Sequence, residues 1–206
     1  MLNIKTVSQK KKGFDKFPKT RFKYSKWSLV RFLLLNFAFI SLFQKLLAQQ
    51  VDEYLLKSVF ILKIPSFIEW PVNANYNAGN KDFVIAIMGA DPFKGKLPTL
   101  IKSEQITIKN KQVVVKLISK PEESFGCDML FISSSEKYNI TKILTLLAGK
   151  PILTISDSKA FTEKGVMINL YVAGEKLAFD VNLKKALESN IYISSKFLVN
   201  ANKVEK

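Results

Sequence analysis

Two aspartates, one cysteine and a glycine-flanked lysine are the residues of this chain whose type and setting suit chemistry. Asp91 stands in Gly89-Ala90-Asp91-Pro92 and Asp157 in Ser156-Asp157-Ser158, each just after a short apolar run. A carboxylate at a strand end takes up protons, binds cations, or closes a turn by accepting backbone N–H bonds. Capping and turn formation account for the same Asp and Ser residues, so a ligand role competes with a structural one. Glu122 and Glu123 are adjacent and point apart on any regular structure, which makes them a poor acid–base pair and a solvated loop. Gly89 to Lys96 resembles a phosphate loop after a strand, but five residues separate the glycines instead of four. Leu97 also replaces the Ser or Thr that would hold Mg²⁺, and the motif is rejected.

Absences narrow the chemistry further. The chain has no His, so triads that use an imidazole base are excluded, as are zinc sites built on His or several Cys. No Arg follows Arg31, which removes a bidentate clamp for phosphate or carboxylate from the rest of the chain. Cys127, the only thiol, has no partner for an internal disulfide and stands before Asp128-Met129-Leu130-Phe131-Ile132, where it reads as a buried small hydrophobe. Neither catalysis nor a metal or cofactor site is expected.

The elements that would position these residues follow from hydrophobic spacing. Val51–Ile64 reads as a helix with Val51, Tyr54, Leu55, Val59 and Leu62 at three- and four-residue intervals, ended or kinked at Pro65. Pro71 holds Trp70 extended, and Val72–Asn80 is a loop. Asp82–Gly89 is a nearly continuous apolar run, suited to a strand covered on both faces. A short helix starts near Pro92 and closes at Pro98–Ile101. Lys111–Ser119, Met129–Ser133 and Pro151–Ser156 are further strands, with a helix Ile140–Ala148 stopped by Gly149. Ser156-Asp157-Ser158 signals the start of a short helical turn, Lys159–Glu163. Gly165–Tyr171 and Lys176–Val181 form an antiparallel hairpin around Ala173-Gly174-Glu175. Asn182 caps a helix, Leu183–Ser189, that Asn190 ends in a left-handed turn, and Ile193–Ala201 is the last helix.

This order gives a single three-layer α/β domain, a mixed sheet flanked by helices. Ligands of such sheets meet the crevice beyond the strand carboxyl ends, here Gly89-Ala90-Asp91, Ser133-Ser134-Ser135 and Ser156-Asp157.

Charge divides the chain in two. Ten of the 32 basic residues precede residue 32, and a 12-residue apolar stretch, Phe32–Phe43, follows them. That stretch is too short to span a bilayer, which takes ~20 residues. The pattern reads as a signal peptide over residues 1–48, cut after Ala48, although Leu46 fits the small-x-small rule poorly. The rival reading, that the lysines and Phe14, Phe17, Phe22, Tyr24 and Trp27 bind single-stranded nucleic acid, leaves the apolar stretch unexplained. Without a Cys before position 127 there is no lipid attachment behind it, and no stable membrane anchor is expected. Residues 49–206 then form one exported domain with 21 Lys against 16 acids, a net of +5.

In order along that domain, a set of short motifs resembles the YfiR/HmsC-like family of bacterial periplasmic proteins. They are Ile68-Glu69-Trp70-Pro71, Ile85–Phe93, Cys127–Ser133, Ile152–Asp157 followed by Phe161 and Gly165–Leu170, and the closing stretches Leu177–Asn182 and Ile193–Leu198. The resemblance implies a periplasmic regulator that holds down a membrane signalling protein of the diguanylate cyclase type by binding its extracytoplasmic region. It implies neither enzyme activity nor nucleic-acid binding, and homodimerisation is compatible with it. Family members under redox control use disulfides, which the unpaired Cys127 cannot supply internally. Trp70 is the candidate for part of a partner surface; the competing role is core packing of the kinked first helix. A periplasmic small-ligand-binding or sensor protein, using the strand-end crevice with Asp91 and Asp157, is the alternative function.

Overall fold

The computed structural model describes residues 53–72, 82–158, 161–174 and 176–206. The expected signal peptide and its cut after Ala48 lie outside these residues, as do the loop expected after Val72 and the start of the turn expected at Lys159–Glu163. Of the two units into which the chain divides, Met1–Lys45 is likewise outside them, and the fold is that of the second, Leu46–Lys206.

Helix α1 (residues 53–63) runs into a 3-10 turn, Ile64–Phe67, whose second position is Pro65; with no N–H to give to Ile61 O, the proline ends the α-helical pattern there. Its buried stripe is Lys57, Ser58, Ile61 and Ile64, and Leu55, expected on the apolar face, is exposed. The chain then makes a two-residue strand, β1 (Ile68–Glu69), before Trp70. Strand β2 (Asp82–Met88) is buried along almost its whole length, as its continuous apolar run requires.

Helix α2 is Lys96–Ser103, later than expected: Pro98 lies in its first turn, where the missing N–H is harmless, and does not end it. A tight hairpin follows, β3 (Thr107–Ile108) and β4 (Lys111–Ile118), turned by Lys109 and Asn110, both at positive φ. Next come β5 (Met129–Ile132), α3 (Ile140–Leu146), β6 (Leu153–Ser156) and the hairpin β7 (Ile168–Ala173) and β8 (Lys176–Asn182). The side chain of Asn182 accepts from Lys185 N at 2.9 Å and caps α4 (Leu183–Glu188), and Asn190 ends it at φ 55°.

In place of the last expected helix, Ile193–Ala201, stand the end of β9 (Tyr192–Ile193) and a short helix, α5 (Ser195–Leu198), and a further strand, β10 (Lys203–Glu205), follows. Strand β9 pairs antiparallel with β1, and β10 adds parallel to β8.

The main sheet has the order β10-β8-β7-β6-β5-β2-β4-β3. Its β7/β8 and β3/β4 pairs are antiparallel and the others parallel, so it is mixed. Alternation along β2 splits the core. Phe83, Ile85 and Ile87 join Ile61, Ile64, Leu97 and Phe197 on one face; Val84, Ala86 and Met88 join Ile140, Ile143 and Cys127 on the other. These are the three layers. Chain direction switches between β2 and β5, because β2 leads outward to β4 and β5 leads to β6 on the opposite side.

Candidate functional site

The carboxyl ends of β2, β5 and β6 lie side by side, so the sheet does gather the residues expected at the crevice. Polar groups there bond to other groups of the chain. Ala90 N donates to Ser135 Oγ at 3.0 Å across the switch point. Gly89 sits there at φ 85°, and a β-carbon on it would come within 2.3 Å of the same Oγ, so only glycine lets the two loops close. Asp91 turns inward on its own loop: Oδ1 accepts from Phe93 N at 2.8 Å and Oδ2 from Gly95 N at 2.9 Å. These bonds hold a turn that seats the fully buried Phe93 against Phe131.

Beside Asp157, the Ser158 N–H donates to Ser156 Oγ at 3.3 Å. The Asp157 carboxylate faces α1, where Oδ2 accepts from Tyr54 Oη at 2.8 Å and from Lys57 Nζ at 3.0 Å. The Lys57 side chain is 3% exposed and that of Asp157 5%, and Glu53 supplies Lys57 with a second carboxylate at 2.6 Å. Burial, then the neighbouring Asp157 charge, pushes the Tyr54 phenol well above its ordinary range, so it stays a donor at any physiological pH. Tyr54 also meets Phe93 edge to face at 5.7 Å. The arrangement ties the first turns of α1 to the sheet. Lys57 escaped the sequence reading because a lysine in a helical stripe looks solvated; Glu53 at i−4 was its one local signal.

At the opposite, amino end of the strands, Trp70 is half-buried. Its ring meets Phe83 edge to face at 5.6 Å and its Nε1 donates to Asp128 O at 3.3 Å. Lys109 Nζ, on the β3–β4 turn, lies 5.7 Å from the Trp70 ring centroid and donates to Ile68 O at 2.8 Å. A cavity of about 360 Å³ opens here, lined by Glu69, Trp70, Val72, Phe83, Lys109, Lys111 and Asp128. Trp70 therefore packs on the core, through Phe83, and also borders this cavity. Cys127 is on the other face, 2% exposed, and burial pushes its thiol up to about 11.

Among the described residues no cluster of metal-ligating side chains occurs, and no helix is long and apolar enough to cross a membrane. The YfiR/HmsC-like family profile matches residues 54–202, from the tether of α1 to the turn before β10. The chain belongs to the YfiR/HmsC-like family. No curated protein matches it significantly. Among solved structures, the YfiR/HmsC-like chain is similar to an ABC domain in complex with L-Trp from Streptococcus pneumonia, at 11% identity and a TM-score of 0.45. That match covers 59% of this chain and 55% of the other. A conserved domain protein from Vibrio cholerae O1 biovar eltor gives the same identity and TM-score over 73% of this chain and 60% of its own. The chain thus spans between half and two thirds of the length of each. In this YfiR/HmsC-like domain the ordered motifs are β1 with Trp70, β2 with its closing turn, β5, β6 with Asp157, and β8 with its cap.

Proposed function

We propose that the protein is an exported, non-enzymatic regulator that binds the extracytoplasmic region of a membrane signalling protein and holds it inactive, a diguanylate cyclase being the expected class of target. The observation that carries this reading is the family match over residues 54–202. The residue inventory agrees with it: no His anywhere, no Arg after position 31, and both candidate aspartates engaged in internal bonds. The small-ligand alternative loses support at the crevice, where Ser135 closes on Gly89 and Ala90. Residues 1–48 would direct export, with cleavage after Ala48, and place the domain in the periplasm.

The test is deletion of the gene. Cyclic-di-GMP and biofilm matrix are expected to rise, and to fall again when the full-length gene is restored. Unchanged signalling in the deletion strain, with no envelope protein retained by the purified protein, would reject the assignment.

A further inference from the structure

The β4 edge of the sheet has an open stretch. In the parallel β2–β4 ladder Gly89 N donates to Ile118 O, so the even-numbered residues of β4 bond to β2, and Val113, Val115 and Leu117 direct their N–H and C=O groups outward. The hairpin strand β3 covers only the start of this edge, pairing with Lys111 and Gln112. It then turns away, Ile106 N donating to Ile101 O. From Val113 to Leu117 no partner strand occurs among the described residues. Beside this edge lies a groove of about 580 Å³ between α2 and β4, walled by Ile101, Ile106, Val113 and Val115 with Lys102 on its lining.

Charge is gathered in the same place. Lys94–Lys120 holds seven lysines and a single acid, Glu104, whereas the rest of residues 49–206 holds 14 lysines against 15 acids. The whole positive excess of the domain therefore belongs to α2, β3, β4 and their connections.

We propose that the open edge of β4 takes an extended acidic segment of the regulated membrane protein as an added strand. Backbone bonds to Val115 and Leu117 would supply affinity, and alternate side chains would enter the α2–β4 groove. Acidic residues flanking that strand would meet Lys102, Lys111 and Lys116, which gives the complementarity that steers and registers partners. A second copy of this chain fits worse, because edge-to-edge pairing sets the same lysines against each other. The inference rests on the regulatory reading above and names its surface.

A photo-crosslinking residue at Leu117 of the full-length chain, expressed in its own host, tests this, with Tyr138, exposed and outside this segment, as control. The expected adduct at Leu117 maps to an acid-rich extended segment of a membrane protein. Reversing Lys111 and Lys116 to Glu should cut its yield about tenfold, the size of one lost charge-assisted contact. Leu117→Pro, which removes an outward N–H and not a ladder bond, should keep the melting temperature and lose repression. The proposal is overturned by an adduct to a second copy, to this chain's own residues, to lipid, or to a segment without excess acids. An adduct no stronger than at Tyr138 overturns it too, the lysines then serving only to blunt the edge. If gene deletion derepresses signalling but folded Leu117→Pro restores control, the edge proposal falls and the regulatory function stands. If deletion changes nothing, the function falls whatever Leu117 touches.

Discussion

The two ends of the sheet treat their polar groups in opposite ways, and α1 runs from one to the other. At the carboxyl end Asp157 takes Tyr54 and Lys57, Asp91 takes its own loop, and Ser135 fills the switch point. At the amino end Trp70, Lys109 and Lys111 border a cavity of about 360 Å³. The rule that ligands gather at strand carboxyl ends presupposes an open crevice. Here Asp157 fastens a helix and Asp91 its own loop, and the open aromatic and cationic surface is elsewhere.

The largest effect is expected where the closed end is broken. Lys57→Met leaves the Asp157 carboxylate buried beside a neutral side chain, and loss of one partner of a buried pair costs ~3–5 kcal/mol. Urea unfolding would measure it. Asp157→Leu alone should cost less, because Lys57 keeps Glu53 at 2.6 Å, and the double variant clearly less than the two together, since the Asp157 carboxylate is then not stranded. Additive costs, or a loss below ~1 kcal/mol for Lys57→Met, would mean that the carboxyl end is not held by this pair.

The open end should be less sensitive in stability and more sensitive in binding. A fully buried Trp truncated to Ala costs ~3–5 kcal/mol; Trp70 is only half-buried, and about 2 kcal/mol is expected for Trp70→Ala. Trp70→Phe keeps the edge-on contact with Phe83 and gives up the bond to Asp128 O, a change of about 1 kcal/mol. If Trp70 also anchors the partner, capture of the target by Trp70→Phe falls by more than this small loss of stability explains. Equal capture by Trp70→Phe and the parent would assign Trp70 to packing alone.

Lys109→Ala belongs to the same end and is smaller still, about 1 kcal/mol, for one charge-assisted bond to Ile68 O and a partly exposed contact with the Trp70 ring. Thermal unfolding of this variant beside Trp70→Phe would separate the two contributions.

The elements legible in the sequence are those with a strong local signal, an apolar run or a turn or cap residue. The runs that became β2, β4, β5 and β6 and the β7–β8 hairpin had it, and so did the Asn182 cap. Strands β1, β9 and β10 were not legible, because two or three residues carry no period and exist only through pairing with segments remote in sequence. Ile193 looked like a helix start for that reason; it is the Ile68 partner in a strand pair. Pro98 misled in the other direction, since proline ends helices and also opens them. At the candidate site the sequence located Asp157 and Asp91 at the strand ends. It could not show that Tyr54 and Lys57, more than 90 positions away, had already claimed one of them, because buried ion pairs are tertiary facts. The outward groups of Val113, Val115 and Leu117 were hidden likewise: an edge strand and a central strand share one apolar pattern until the sheet order is known.

Reductant acting on Cys127 gives the smallest expected effect, none, and sharpens what the open end is for. Cys127 lies one residue before Asp128, whose backbone carbonyl accepts from Trp70, yet on the opposite face of the sheet and 2% exposed. If this end were a redox switch, reductant would move stability or partner binding. With the thiol buried and no second Cys in the chain, neither should move, and Cys127→Ser should cost ~1–2 kcal/mol near neutral pH, as one altered core group. The pH dependence follows from burial. An ordinary thiol ionises near 9, and burial pushes this one up to about 11, so between those values the unfolded chain releases a proton that the folded chain keeps. The unfolded state then binds fewer protons, and stability falls as pH rises through this window. The contribution is complete below pH 9 and lost toward 11. Lysines and tyrosines titrate there as well, so the informative quantity is the difference between parent and Cys127→Ser, which should shrink from pH 8 to pH 11. A constant difference, a thiol that reacts at neutral pH as fast as a free one, or a covalent dimer formed without reductant would show instead that Cys127 is within reach of solvent, and would reopen redox control at the end of the sheet where Trp70 sits.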